Sequence, residues 1–495
     1  MTINAGRTLD SYLRAGVGPH GGRLAAAEGS RLAITTCIRR CICAGLLLAC
    51  GLSAQPANTF QGSVPGGPAS PTPLALGLED AIQRGLKFNL GLLESQTASQ
   101  TARAERIQAL SVLLPQVTGT LSETEAQLNL KTFGFSLAPN PFVTVPAIVG
   151  PFHYSTAQAN VTAKVFDWSS RKNLKSARAN ERAAALSVLG SRDLVVQAVA
   201  NAYLLVIADA SRVEAVKAQV DTDQALYQRA QDQHAAGVAA GIDVLRAQVQ
   251  LKTEQQVLLA QQNQFDKDKL ALGRIIGLAP GQVFHIADSV PFSPLTGINQ
   301  EEALRIALGR RPDYQSSKKL VEAAQQAVAA ARAEWYPTVD VYGYYGDTGL
   351  TFGNSHGVFE VTGALNFNIF NGGRIHADIE KARATLQQRS DELADLGAQI
   401  EVEVRDAFFD LKSTADQVAV AQDNLGLANQ TLDQSRDRFT SGVTDTVEVV
   451  QAQGAVATAN DNLIAALYAN NVAKVSLARA LGLAEQGVRT FIKVK

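Results

Sequence analysis

The chain has 495 residues, a formal net charge of −1 and a charged fraction of 18%, below the roughly 25% of ordinary soluble proteins. It has no basic stripe to neutralise phosphates, which argues against nucleic acid as a partner. All four cysteines, Cys37, Cys41, Cys43 and Cys50, precede residue 51, so the body of the chain has none for a disulfide, a thiolate nucleophile or a zinc site.

In chain order, the first predicted element is a presequence, residues 1–54. Arg39-Arg40 precedes the apolar run Cys41 to Leu52, which has the charged n-region and short h-region of a secretory signal and is too short to span a bilayer as a helix. Two cuts fit. One follows Ala54 and leaves Gln55 first; the other precedes Cys50, where Leu47-Leu48-Ala49-Cys50 resembles a lipoprotein processing box with Cys50 as the lipidated residue. Residues 55–76 are rich in Pro, Gly, Ser and Thr and read as a flexible linker.

A helix is predicted at LGLEDAIQRGLKFN, Leu76 to Asn89, and INQEEALRIALGRR, Ile298 to Arg311, repeats it at a shift of 222 (Glu301 − Glu79, Ala303 − Ala81). The same shift relates Pro337 to Pro115. At each of these prolines an Ala-rich helix passes into alternating sequence, as expected of a residue that cannot continue a helix. Strands are predicted at about 116–128 and 154–166 in the first half, and at about 338–346 and 358–370 in the second. Ala157, Ala159, Val161, Ala163 and Val165 share one face, against Thr156, Gln158, Asn160, Thr162 and Lys164. Val361, Gly363, Leu365, Phe367 and Ile369 likewise stand against Thr362, Ala364, Asn366 and Asn368. Strands of about ten residues with one apolar and one wet face are the signature of an outer-membrane barrel. The first strand carries the weakest signal, because Glu123 and Glu125 fall on the face of Val117 and Leu121; its far end leads into a long loop, Asn129 to His153.

The corners VFDWSSR (Val165 to Arg171) and IFNGGR (Ile369 to Arg374) open two helical hairpins, 172–277 and 374–482. Lys172 to Gln233 alone is 62 residues, roughly 90 Å as helix, which no small domain accommodates. Each hairpin turns at glycine, in HAAGVAAGIDVLRAQ (His234 to Gln248) and FTSGVTDTVEVVQAQ (Phe439 to Gln453), in register at a shift of 205. Each stops at glycine again, Gly277 and Gly482. Val404, Leu411, Val418, Leu425, Leu432 and Phe439 recur every seven residues; subtracting 205 gives Val199, Val206, Val213, Val220, Tyr227 and His234. A sustained heptad predicts left-handed coiled-coil pairing, and a companion seam of small residues, Ala407, Ala421, Ala428 and Ser435, lets backbones approach.

Four strands cannot close, and an open edge in lipid leaves N–H and C=O groups unsatisfied at several kcal/mol each. The barrel must therefore be shared between chains: two would give eight strands and three would give twelve, and periodicity does not choose. In order, the LEDAIQRGL and EEALRIAL openers, the Pro115 and Pro337 junctions, the FDWSSR and FNGGR corners and the two glycine tips resemble the outer membrane efflux protein family, the TolC-like channels, over about residues 77–484. The resemblance implies a mainly α chain with an internal two-fold repeat (77–295 and 296–484, then a tail, 485–495) that contributes four strands to a trimeric 12-stranded outer-membrane barrel. The barrel continues into a long coiled-coil periplasmic tunnel. It implies a passive exit channel for drugs, metals, small molecules or proteins. Its partners would be a periplasmic adaptor and an inner-membrane transporter of the resistance-nodulation-division or ABC type.

On the matching positions the resemblance places adaptor docking at Gly237, Val238, Arg438, Gly442 and Val443, and the narrowed periplasmic entrance at Asp243, Glu448 and Gln451. The family's partners for the Asp243 acid are a tyrosine and an arginine, but those positions hold Phe439 and Thr444, so the lock at the entrance must be built differently here. The six histidines are scattered, and no His, Asp or Glu cluster has metal-ligand spacing; neither a phosphate loop nor a nucleophile elbow occurs. No catalytic residue, cofactor or metal is expected. The competing reading is a periplasmic coiled-coil adaptor without a barrel; the paired ten-residue strands speak against it.

Overall fold

Pro115 and Pro337 stand where helix gives way to sheet. The computed structural model describes residues 59–133, 146–295, 297, 299–351, 353–441, 443–444 and 446–493, all in one unit, Asn58–Lys495. The chain runs β1 (Leu74–Leu76), α1 (Leu78–Phe88), α2 (Leu90–Ser111), β2 (Gln116–Asn129), β3 (Ile148–Phe166), α3 (Trp168–Ala235), α4 (Gly241–Ile275) and β4 (Phe284–Ile286). It continues with α5 (Gln300–Arg310), α6 (Pro312–Ala333), β5 (Thr338–Thr351), β6 (Asn354–Asn366), α7 (Arg374–Thr440), α8 (Thr446–Ala480) and α9 (Ala484–Phe491). Two helices, two strands, a very long helix and a shorter return helix thus occur twice in the same order.

The long strands form one antiparallel sheet in the order β2-β3-β5-β6, which leaves β2 and β6 as its edges. At the other end of each strand pair the chain enters a helix: Asp167 caps α3 by accepting from the Ser170 backbone N–H at 3.0 Å, and Gly373, at φ +86°, precedes α7. With 68 residues, α3 is about 100 Å long. The helix α4 folds back on α3, and α8 on α7, while α2 and α6 flank the upper part of α3.

The largest apolar core lies midway along α3. Val195, Val196, Val199, Tyr203 and Val206 are buried against Leu76 and Ile82 of the β1–α1 segment, Leu272 of α4, Phe284 of β4 and Val488 of α9. Each such side chain contributes about 1.5–3 kcal/mol by burial. By length and composition α3 holds a stretch apolar enough to cross a membrane; its buried valines show that this apolarity serves the core. The β1–β4 ladder is parallel, and the Asp288 carboxylate after it accepts from the Leu78 backbone N–H at 2.7 Å and the Tyr203 hydroxyl at 2.8 Å.

Of the heptad positions, Val404, Val418 and Leu432 in α7 and Val199 and Val206 in α3 are buried; the others are half-buried, except His234 at the tip, which is exposed. Several boundaries differ from the sequence reading. The expected linker, 55–76, is docked from residue 59 on: the Val64 N–H bonds Phe88 O at 2.9 Å, Gly66 N–H bonds Gly277 O at 3.0 Å, and Leu74–Leu76 is β1. The tail, 485–495, is largely α9, whose Val488 is buried, as is Ile492 just beyond it. Strand β3 begins at Ile148, inside the expected loop, because its ladder with β2 continues to Asn129↔Ile148. In the second half Gly349 and Gly357, which fall between the two expected strands, do not make a loop. They sit within β5 and β6, which meet in a tight hairpin at Thr351↔Asn354; at Gly349, as at Gly346 in the expected strand, an added Cβ would collide with the neighbouring strand's backbone. Strand β6 ends at Asn366, so Phe367 and Ile369 lie beyond it. The presequence and Cys50 lie outside the described residues.

Where the two halves meet, Arg311 is 2% exposed. It donates to Asp313 at 2.6 Å and to Glu403 at 2.5 Å, and Arg479 donates to Glu403 at 3.1 Å. Gly482 passes over this arginine at φ +67°, with an added Cβ 2.8 Å from Arg311 Cα. A Gly482→Ala chain is therefore expected to lose roughly 1–3 kcal/mol, read as a lower melting temperature of the detergent-solubilised protein.

Candidate functional site

The two hairpin tips share a backbone hydrogen bond at equivalent positions. At the first, Gly237 adopts φ +73° with open space around it, so conformation and not crowding demands glycine. The Val238 N–H reaches back to Gln233 O at 2.9 Å; at the second tip the Val443 N–H reaches back to Arg438 O, also at 2.9 Å. These are equivalent six-to-one closures that satisfy the last carbonyls of α3 and α7. Gly442, the sequence counterpart of Gly237, lies outside the described residues. Both closures thrust a valine into solvent, Val238 at 79% and Val443 at 67% exposure.

The acidic residues near the tips are held within their own hairpins. Glu448 accepts from Thr444 and from the Ser435 hydroxyl at 3.3 Å, and faces Arg438 Nε at 3.5 Å. Asp243 accepts from Arg246 on its own helix at 3.3 Å. Phe439 packs with Leu432, Val449 and Ala452, and Gln451 is exposed. Thr444 thus serves Glu448. The pairing of Arg438 with Glu448 across the turn escaped sequence reasoning. The ten-residue gap between opposite charges flanking a glycine turn was the available signal.

The sheet supplies the second functional feature. Directly paired residues share a face, so the register gives the rows Val117–Val161–Gly343–Val361 and Gly119–Ala159–Tyr345–Phe359 on one side. The opposite side has Gln116–Thr162–Tyr342–Thr362 and Thr118–Asn160–Tyr344–Glu360. Hydrogen bonds knit the polar side, Asn160 to Thr120 at 3.1 Å and Asn366 to Asp340 at 2.8 Å. Val117, Leu121, Tyr345, Phe359, Val361 and Leu365 are exposed on the apolar side, which leaves a large unpartnered apolar surface. Glu123 and Glu125 face Ser155 and His153, so the apolar character ends there. Below the sheet, Phe166 stacks on Trp168 with centroids 6.2 Å apart, and Arg171 and Lys172 lie over the two rings, an aromatic and basic border suited to a membrane interface.

Among the described residues no group of three or more His, Cys, Asp or Glu is arranged to hold a metal ion. Exposed apolar strands carried on helices about 100 Å long, ending in solvent-facing tips, have the geometry of an outer-membrane channel subunit. A family model described as Outer membrane efflux protein matches residues 81–278 and 303–483. The chain belongs to that family, and it is an outer-membrane efflux channel protein with a periplasmic helical part.

Among curated relatives, it is 25% identical over 425 residues to the pyoverdine export outer membrane protein OpmQ of Pseudomonas aeruginosa, spanning 82% of this chain and 85% of that one. It is 24% identical over 317 residues to the multidrug resistance outer membrane protein MdtP of Escherichia coli, spanning 62% of this chain and 64% of that one. Among solved structures, the outer membrane protein VceC of Vibrio cholerae superposes with a TM-score of 0.69 at 21% identity, covering 82% of this chain and 96% of that one. The MtrE outer membrane channel of Neisseria gonorrhoeae does so with a TM-score of 0.68 at 16% identity, covering 87% and 96%.

Proposed function

We propose that three copies of this chain assemble into one passive exit duct, twelve strands closing a barrel in the outer membrane and six hairpins forming the periplasmic tunnel. The observation that carries this reading is the four-stranded sheet with an apolar face and two open edges, β2 and β6. In hydrocarbon those edge groups must find partners, and β6 of one copy pairing with β2 of the next supplies them without a new element. The polar row containing Asn160, Tyr344 and Glu360 then lines water. The two halves of the chain act as one unit used twice.

Within this reading, Gly237, Val238, Arg438, Gly442 and Val443 meet a periplasmic adaptor, and Asp243, Glu448 and Gln451 lie at the entrance. An inner-membrane transporter of the resistance-nodulation-division or ABC type supplies the energy. The relatives' names refer to pyoverdine export and multidrug resistance, and a duct selective by width and charge serves such different cargoes, leaving the choice to the transporter. If Cys50 is lipidated, the mature amino terminus adds an anchor.

Native mass spectrometry in detergent is expected to give a trimer, and planar bilayers stepwise conductance; a monomer without conductance would reject the duct. For docking, a chain carrying Val238→Asp and Val443→Asp is expected to keep its trimer and conductance but lose adaptor co-purification by at least tenfold, since each exposed valine offers a small apolar contact to a partner helix. Undiminished adaptor capture would move docking elsewhere.

A further inference from the structure

The companion seam that is small in the second hairpin carries two acids in the first. On α7 it includes Thr414 and Ala428; at a shift of 205 the α3 positions are Asp209 and Asp223. On α8, Ala473 and Ala459 correspond to Asp268 and Glu254 on α4. Asp209 is 2% exposed and lies beside Asp268 on α4; Asp223 is 1% exposed and feels the charge of Glu254. The spacings 223 − 209 and 268 − 254 are both 14, so the two pairs are layers of one antiparallel register, two heptads or about 21 Å apart. In each layer one buried carboxylate oxygen, Oδ2 of Asp209 and Oδ2 of Asp223, has no hydrogen-bond partner.

We propose that Asp209 with Asp268, and Asp223 with Glu254, are proton-binding layers of the α3–α4 seam, each holding one proton when the hairpin is closed and parting when that proton is lost. A shared proton makes the orphaned oxygen a donor or its neighbour's acceptor and removes the like-charge repulsion. The surroundings do not neutralise the pairs fully. Arg212 donates to Asp209 at 3.0 Å but is shared with Asp461 of α8 at 2.9 Å, and Tyr468 of α8 stands nearby as a neutral phenol. Around Asp223 are the Gln219 amide at 3.0 Å, Gln250, and Arg436 of α7. Burial, together with Asp268 in one case and Glu254 in the other, pushes Asp209 and Asp223 each up to about 6, and burial raises Glu254 too. A carboxyl raised in the folded state stabilises it below the unfolded value near 4, and this contribution is lost as pH rises through about 6. The first hairpin therefore tightens in acid and loosens toward neutrality. The inference concerns this hairpin alone and stands whether or not the chain forms a shared barrel.

The test uses the full-length protein in detergent. Infrared difference spectra between pH 4.5 and 8 are expected to show a protonated-carboxyl band with a midpoint near pH 6. Asp209→Asn with Asp223→Asn should remove the component with that midpoint except the part due to Asp193, which burial also raises to about 6, and leave the band of the ordinary carboxyls, which titrate near pH 4. Amide exchange of α3 and α4, corrected for intrinsic pH dependence, should quicken by roughly tenfold across that midpoint in the wild type and not in the double variant. Should that variant fold poorly, Asp268→Asn with Glu254→Gln tests the same layers from the other helix. A band and an exchange step unchanged in folded variants, or absent from the wild type, would overturn the proposal.

Discussion

A Val361→Arg chain is expected to fail at membrane assembly, while Thr362→Arg, one residue further on, assembles. Val361 is 74% exposed and lies in the row Val117–Val161–Gly343–Val361 on the apolar face. An arginine facing hydrocarbon near mid-depth costs about 2–4 kcal/mol in each copy, whereas lumen-facing substitutions are tolerated. Thr362 shares the opposite face with Tyr342 and Thr162, where a cation stays hydrated. The readout is the amount of detergent-extracted trimer in the outer-membrane fraction of each variant. Equal yields from the two chains, in either direction, would mean that the faces are not divided between lipid and water.

Arg311→Ala is expected to lose about 3 kcal/mol of stability, because removing one partner of a buried ion network strands the others. The guanidinium holds Asp313 and Glu403 together where α6 begins against α7, and Arg305→Ala, on a well-exposed pair, should be nearly neutral. The pH dependence has the opposite sign to that of the acidic seam. Burial pushes Asp313 and Glu403 up, but the bonds from Arg311 outweigh it, so both carboxyls sit below their ordinary values. Their contribution is complete above about pH 4 and is lost as pH falls through the lowered folded values. Melting of the wild type should fall steeply in acid, and the variant should start lower and fall less. An unchanged melting temperature or an unchanged acid slope would assign the network no stabilising role.

Period, more than composition, made the fold legible. Seven-residue spacing located the seams of α3 and α7, two-residue spacing located the faces of β3 and β6, and glycine followed by valine located both tips. Gly349 and Gly357 misled, because they fall in a stretch that reads as a loop; only the neighbouring strand shows that Gly349, like Gly346, is small to let backbone pass. The docked segment before α1 and the terminal α9 were equally hidden, since several of their partners lie about two hundred residues or more away in sequence, at Gly277, Phe284 and Val199. Asp209 and Asp223 stood in plain view at heptad positions, yet nothing local showed that Asp268 and Glu254 would oppose them.

The sequence by itself determined the local geometry: which stretches coil, which extend, where the chain turns and which face of each element is apolar, because these follow from side chains three, four or seven positions apart. The tertiary structure decided which charges meet. The Arg311 network, the holding of Glu448 by Arg438 and the stacking of acid on acid in the first hairpin depend on how antiparallel helices slide into register. That register is set by packing summed over whole helices, and no single stretch of sequence contains it.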